Sequence, residues 1–217
     1  MSNRPDKPVI VLGAGGHAAV LIDCLQRLGT TILGLTDIQK AKGECVLGVE
    51  VLGNDGEIAS YNPEDIYLVN GIGMNENLSP RREIALRMRQ TGYTFGTIID
   101  PTAVVLSEVE LGEGVQVMAG VVIQSRTSVG KDTIINTSAT VDHDCVIEED
   151  CHVCPGVILS GGVTVGEKTM IGAGSTIIPG TTVGKNSIIA AASVVHSDVP
   201  DNVRLIQHRN ESKNKRK

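Results

Sequence analysis

The chain has 217 residues, enough for one large or two modest domains. Its formal charge of −6 offers no electrostatic footprint for nucleic acid, and no stretch is long and apolar enough for membrane insertion. Aromatics make up only 2%, with no Trp, while Gly supplies 25 residues, a composition suited to a narrow interior where a ring would not fit.

The N-terminus begins polar, so no secretory leader is expected, and five cysteines without disulfide-scaffold spacing favour a reducing cytoplasm. Pro8-Val9-Ile10-Val11-Leu12 reads as a buried parallel strand, and Gly13-Ala14-Gly15-Gly16-His17-Ala18 turns it into a helix through Val20–Leu25. Further strands are predicted at Thr31–Thr36, ending at Asp37, and at Ile66–Asn70, ending in Gly71-Ile72-Gly73. A helix is predicted over Arg81–Gln90, with Ser79 as N-cap and Pro80 in the first position, and a strand over Thr94–Ile99. Strand, glycine turn and helix in alternation imply a small α/β domain with a parallel sheet, closing near residue 97 before Asp100-Pro101.

Gly13-x-Gly15-x-x-Ala18 between strand and helix is the dinucleotide fingerprint with Ala in its third place. Glycine there lets backbone N–H groups approach phosphate at a helix N-terminus. The plain alternative is a tight βα turn with no ligand. Asp37 is placed to accept from a ribose hydroxyl or a base. The domain is too small for two mononucleotide halves, so a nucleoside diphosphate group fits better than a full dinucleotide.

From Val105 to Val195 every sixth residue is Val, Leu or Ile. That period matches a three-sided coil of short parallel strands, with each aliphatic stacked on the one a turn above, and predicts about five coils. Positions two before the aliphatics are small or β-branched (Thr127, Thr133, Ala139, Cys145, Cys151, Thr169, Ser175, Thr181, Ser187, Ser193), as tight corners require. Three regions result: 1–97 for the α/β unit, 98–199 for the coil and 200–217 for a tail. The tail ends in the basic run Lys213–Lys217, read as solvated.

Asn136, His143, Asp144 and His152 form the dense polar cluster of the coil. His143 lies two places after Val141, off the inward position, and is expected to project outward. Neighbouring strand residues face opposite ways, so Asp144 reaches His143 only if the backbone turns there. Cys145, Cys151 and Cys154 with the histidines imitate a zinc set, but Cys145 and Cys151 occupy small corner positions, so no metal is expected.

Together, the Gly-x-Gly-Gly-His turn, Gly71-Ile72-Gly73, Ile135-Asn136-Thr137 and Val141-Asp142-His143-Asp144-Cys145 resemble the sialic acid O-acetyltransferase/sugar N-acetyltransferase family over nearly the whole chain. The resemblance implies a Rossmann-like α/β domain followed by a left-handed parallel β-helix, assembled as a homotrimer. It implies acetyl-CoA in the groove between adjacent coils. Transfer to the 4-amino group of a nucleotide-linked deoxysugar, UDP-linked by preference, would then serve surface glycan synthesis.

By the same resemblance His143 is the general base and Asp144 its carboxylate partner. His152 is a second histidine near the thioester, Asn136 a substrate contact, and the Gly161 N–H an oxyanion donor. Gly15, Gly16, His17 and Gly73 would hold the nucleotide sugar, Asp37 its base, and Ala173 and Ala191 the pantetheine arm. A histidine with an ordinary pKa near 6.5 suits an attacking amine that must lose a proton. Asp201–Ile206 departs from the family's usual closing segment, which puts tail contacts to the coenzyme in question. Two other readings stay open: sialic acid or another sugar hydroxyl as acceptor, and a non-catalytic binding solenoid.

Overall fold

The computed structural model describes residues 5–74 and 79–206. Its first part is a five-stranded sheet flanked by two helices. The strands are β1 (Val9–Leu12), β2 (Ile32–Thr36), β3 (Cys45–Val46), β4 (Val49–Gly53) and β5 (Tyr67–Asn70), in spatial order β3-β4-β2-β1-β5. All neighbours run parallel except β3 and β4. The helices are α1 (Gly16–Arg27) and α2 (Ser79–Gln90). β1 is completely buried, which explains its unbroken aliphatic run. With β2 on one side of β1 and β5 on the other, the order in which the parallel strands are laid down reverses at β1, and that switch point opens a crevice at the strands' C-terminal ends.

The expected strand over Thr94–Ile99 is corrected. Phe95 makes a single bridge to Leu68, and Ile98–Ile99 pairs instead with Gln116–Val117 in the coil. Gly96 donates to the Leu68 carbonyl and lies against Pro5 and Tyr67, where the chain leaves one sheet for the other. The β3–β4 hairpin and the 3-10 turn at Asp55–Ser60 were not expected from sequence. Leu47 and Gly48 close the hairpin, both with positive φ, as a two-residue primed turn requires.

The second part is a parallel coil with three faces, each built of two-residue strands. The first face runs from Ile98–Ile99 to Arg204–Leu205, the second from Val104–Val105 to Val194–Val195, and the third from Glu110–Leu111 to Thr182–Val183. Pairing is always between residues one turn apart, as in Ile123↔Val141↔Leu159. The six-residue aliphatics all point inward and form one core. Coiling continues beyond residue 199, because Arg204–Leu205 pairs with Ile188–Ile189. The tail expected from residue 200 therefore begins inside the solenoid; Lys213–Lys217 lies outside the described residues.

Corner residues stitch successive coils together. The Thr127, Thr133 and Thr169 hydroxyls each donate to a carbonyl in the next coil and accept the N–H one turn on. Cys145 and Cys151 belong to the same ladder: their thiols reach the Ser160 and Gly166 carbonyls at 3.2 and 3.1 Å.

The α/β part sits on the first face. Ile98, Met118 and Ile134 join the core beneath α1. Four ion pairs clasp the two parts: Arg27 with Asp100, Arg82 with Asp150, and Arg89 with both Glu113 and Asp132.

Candidate active site

The crevice at the ends of β1, β2 and β5 is a cleft of about 740 Å³, within the usual range for small-molecule sites. Gly13–His17 form one wall, Asp37 and Ile38 another, and Gly71–Met74 the floor. Gly13 has φ +88°, a left-handed conformation suited to glycine. Gly71 is fixed by packing, since a Cβ there would stand 2.7 Å from the Leu12 carbonyl oxygen and 2.8 Å from the Ala18 methyl. Gly15 and Gly16 differ: a Cβ on either would meet nothing within 4 Å. Among the described residues nothing demands their bareness, which leaves space for a ligand close to the backbone. α1 starts there without a side-chain cap or first-turn acid, so its leading N–H groups and positive dipole end face the cleft.

Asp37 accepts from the N–H groups of Ala14, Gln39 and Lys40. Burial opposes its charge, yet those donors prevail and hold the carboxyl below the usual range. It therefore shapes the glycine turn itself, with remaining lone-pair capacity toward the cleft.

The inner end of the cleft meets the coil through a buried polar network. His17 Nε2 lies 2.8 Å from Gln116 Oε1, and Gln116 Nε2 donates to the Asn70 carbonyl. Since that carbonyl can only accept, the Gln116 amide is fixed in orientation, and His17 must donate from Nε2. Arg81 Nη1 donates to the same carbonyl at 2.6 Å and to that of Ile72 at 2.8 Å. Its Nε and Nη2 are buried without a hydrogen-bond partner among the described residues. Burial pushes Arg81 down to about 10 and, aided by Arg81, pushes His17 down to about 4.

His152 projects outward from the first face beneath this network. Burial, then the nearby His17 and Arg81, lower it to about 4, so it is neutral at physiological pH. Asn136 Nδ2 stands 3.1 Å from His152 Nε2, while Asn136 Oδ1 accepts from the Thr137 N–H. The amide must then donate to the ring, which places the His152 proton on Nδ1.

The third element lies on the corner between the second and third faces. Asp144 has φ +59°, so the backbone does turn there, and its Oδ2 receives His143 Nδ1 at 2.6 Å. This tautomer leaves Nε2 free to take a proton. Arg126, one coil below, grips Asp144 with Nε at 2.7 Å and Nη2 at 2.9 Å. Hydrogen bonds from Arg126, then from His143, hold Asp144 down to about 2. Above the ring sits Gly161; a Cβ there would come within 2.8 Å of His143 Cε1.

The expected residues thus fall into three places. Gly15, Gly16, His17, Asp37 and Gly73 all line the cleft. His143, Asp144 and Gly161 share the second–third corner, whereas Asn136, Ala173 and Ala191 belong to the first–second corner, with His152 on the adjoining first face. His143 and His152 belong to the same coil but look out from different sides. Gln116, Arg81 and Arg126 were missed: Gln116 and Arg81 act through partners on other elements, which no spacing reveals, whereas the 18-residue period of the coil does stack Arg126 beneath Asp144 and could have found it. Among the described residues no group of three or more His, Cys, Asp or Glu side chains could hold a metal ion. No helix among them is long and apolar enough to cross a membrane.

Comparison with known proteins agrees with both parts of the fold. Residues 8–88 match the PglD N-terminal domain, and residues 162–197 the bacterial transferase hexapeptide (six repeats). A perosamine N-acetyltransferase from Caulobacter crescentus, crystallised as a histidine-to-asparagine variant with CoA and GDP-perosamine, is 37% identical. It superposes with a TM-score of 0.84 over 92% of this chain and 95% of that one. The acetyltransferase domain of PglB from Neisseria gonorrhoeae FA1090, bound to acetyl coenzyme A, is 32% identical, with TM-score 0.83 over 91% of this chain and 95% of that one. A stretch of 30 residues is 63% identical to an acetyltransferase-like protein of Saccharomyces cerevisiae, of whose length the chain spans only 15%. Matched along nearly its whole length, the chain belongs to the family of acetyl-CoA-dependent sugar N-acetyltransferases that join a PglD-type N-terminal domain to a hexapeptide-repeat coil.

Proposed function

We propose that the protein transfers an acetyl group from acetyl-CoA to the 4-amino group of a nucleotide-linked deoxysugar. The observation that carries this reading is the pairing of two features in one chain. One is a nucleotide-sized cleft with open glycines at a helix N-terminus; the other is a coil bearing a histidine–carboxylate pair. The diphosphate rests on the N–H groups of Gly15, Gly16 and His17, with the base toward Asp37 and Ile38. The sugar then extends past Gly73 and Met74 toward His152 and Asn136.

His143 Nε2 takes the proton from the attacking amine as the C–N bond forms, and Asp144 stabilises the resulting imidazolium. The Gly161 N–H donates to the thioester oxygen. The C–S bond breaks, and the proton passes from His143 to the departing thiolate. His152, neutral and held by Asn136, orients the thioester and takes no proton.

The cleft and His143 face different directions, so a single chain does not bring amine and base together. A homotrimer meets this need, with His143 of one protomer completing the site on the first face of the next. Outward residues of the second face support such packing: Val104, Ile158 and Val194 stand in one column and are about half exposed. Ala173 and Ala191 then edge the coenzyme groove.

The sequence resemblance favours UDP as the nucleotide, whereas the Caulobacter relative binds GDP-perosamine. Competing UDP, GDP and dTDP against a bound nucleotide sugar separates these. General-base catalysis contributes about 10²–10⁴-fold. His143→Ala is therefore expected to keep its fold and coenzyme binding while turnover falls by that order. Turnover within a few-fold of wild type would remove His143 from the role.

A further inference from the structure

We infer that Arg126 is a positioning residue for the acetyl transfer, acting on His143 through Asp144. This rests on the reading of His143 as the base. Arg126, Asp144, Gly162 and Gly180 form one vertical column of the second–third corner, while Ser125, His143, Gly161 and Pro179 form the column beside it. Above the His143–Asp144 pair the corner carries Gly161, Gly162 and Gly180, which leaves room for the thioester. Below it stands Arg126, whose guanidinium makes a parallel two-point contact with both Asp144 oxygens.

That contact decides what Asp144 can do. A carboxylate on an exposed turn rotates freely about its side-chain bonds, and a single hydrogen bond to imidazole does not stop it. Two N–H donors on separate oxygens fix the carboxylate plane, and with it the direction in which Oδ2 accepts from His143 Nδ1. Nε2 is thereby aimed into the groove, in one tautomer. The guanidinium also offsets part of the Asp144 charge felt by the ring. The charged and titratable groups around His143 are Asp142, which accepts the His143 backbone N–H, Asp144, Arg126, the Cys145 thiol, and Glu108, which acts on Arg126 from below. The coil above contributes none at Gly161 and Gly162.

The pair is half exposed, so it adds little to stability and its removal leaves the coil intact. This makes the proposal testable with Arg126→Ala, Arg126→Lys, Asp144→Asn and the double variant Arg126→Ala/Asp144→Asn, alongside His143→Ala, with melting temperature as a folding control. Arg126→Ala should lower kcat about tenfold with little change in KM for either substrate. The acid limb of its kcat/KM profile should move to higher pH, since a positive charge near the ring is gone. Arg126→Lys should hold that limb in place while recovering only part of kcat. In the Asp144→Asn background Arg126→Ala should have no further effect, because the residue acts only through the carboxylate.

A tenfold rise in KM for acetyl-CoA that persists in the Asp144→Asn background would overturn the proposal and make Arg126 a coenzyme contact. Unchanged kcat and pH profile in Arg126→Ala would overturn it as well, provided His143→Ala is inactive. Near-normal turnover in His143→Ala would instead overturn the reading on which the proposal rests.

Discussion

At the scale of single residues, the histidines owe their different characters to their surroundings. His143 sits on a half-exposed corner against an ionised carboxylate, whereas burial keeps His152 and His17 neutral. Their positions were legible in the sequence, because the six-residue register locates every outward side chain. Their environments were less so: Gln116 is 99 positions from His17 on another element, and only the Arg126–Asp144 pair, one 18-residue coil apart, follows from the register. Gly161 ties steric fit to chemistry, since only a bare Cα leaves space for the His143 ring. Gly161→Ala should lower turnover at least about tenfold by displacing that ring, a misplacement of the size that costs catalysis heavily. Its melting temperature should stay close to wild type. A crystal structure of the variant with His143 unmoved and activity intact would refute this account of the glycine.

Among elements, the coil is the most readable because its local rule repeats without interruption from Val105 to Val195. The α/β part was read through β1, α1, β2, β5 and α2, each marked by a buried run, a turn glycine or helical spacing. The β3–β4 hairpin escaped because Leu47-Gly48 lacks the usual Asn-Gly or Asp-Gly turn residues, and β3 is only two residues long. The Thr94–Ile99 segment misled for a different reason. Its aliphatic pattern is genuine, but Ile98 and Ile99 pair with the coil rather than with β5. The corner ladder assigns the buried cysteines a structural task that Ser can also perform, as Ser187 does by donating to the Pro200 carbonyl. Cys145→Ser should therefore retain activity and melt within a few degrees of wild type. Loss of activity in a folded Cys145→Ser protein would show that the thiol takes part in the chemistry.

For the whole molecule, the proposed site depends on how the α/β part is held on the first face of the coil. Asp100 is central to that hold: it is buried, accepts two bonds from Arg27, and accepts from the Thr102 N–H and hydroxyl. Burial alone would raise its pKa, but those donors outweigh it and bring the group from 3.8 down to about 2. A depressed carboxyl stabilises the fold above its unfolded value and loses that contribution as pH falls through its folded value. Asp100→Asn should therefore cost about 2 kcal/mol near neutral pH, with the gap to wild type closing below about pH 4. Equal urea midpoints at neutral pH would contradict this.

The most direct test of the central claim is product analysis by mass spectrometry and NMR. The intact protein is incubated with acetyl-CoA and, in parallel, a UDP- or GDP-linked 4-amino-deoxysugar and free sialic acid. The account predicts stoichiometric release of CoA thiol and an acetyl group on the sugar nitrogen of a nucleotide-linked acceptor, with sialic acid unchanged. O-acetylated sialic acid, with every nucleotide-linked amino sugar left untouched, would contradict it.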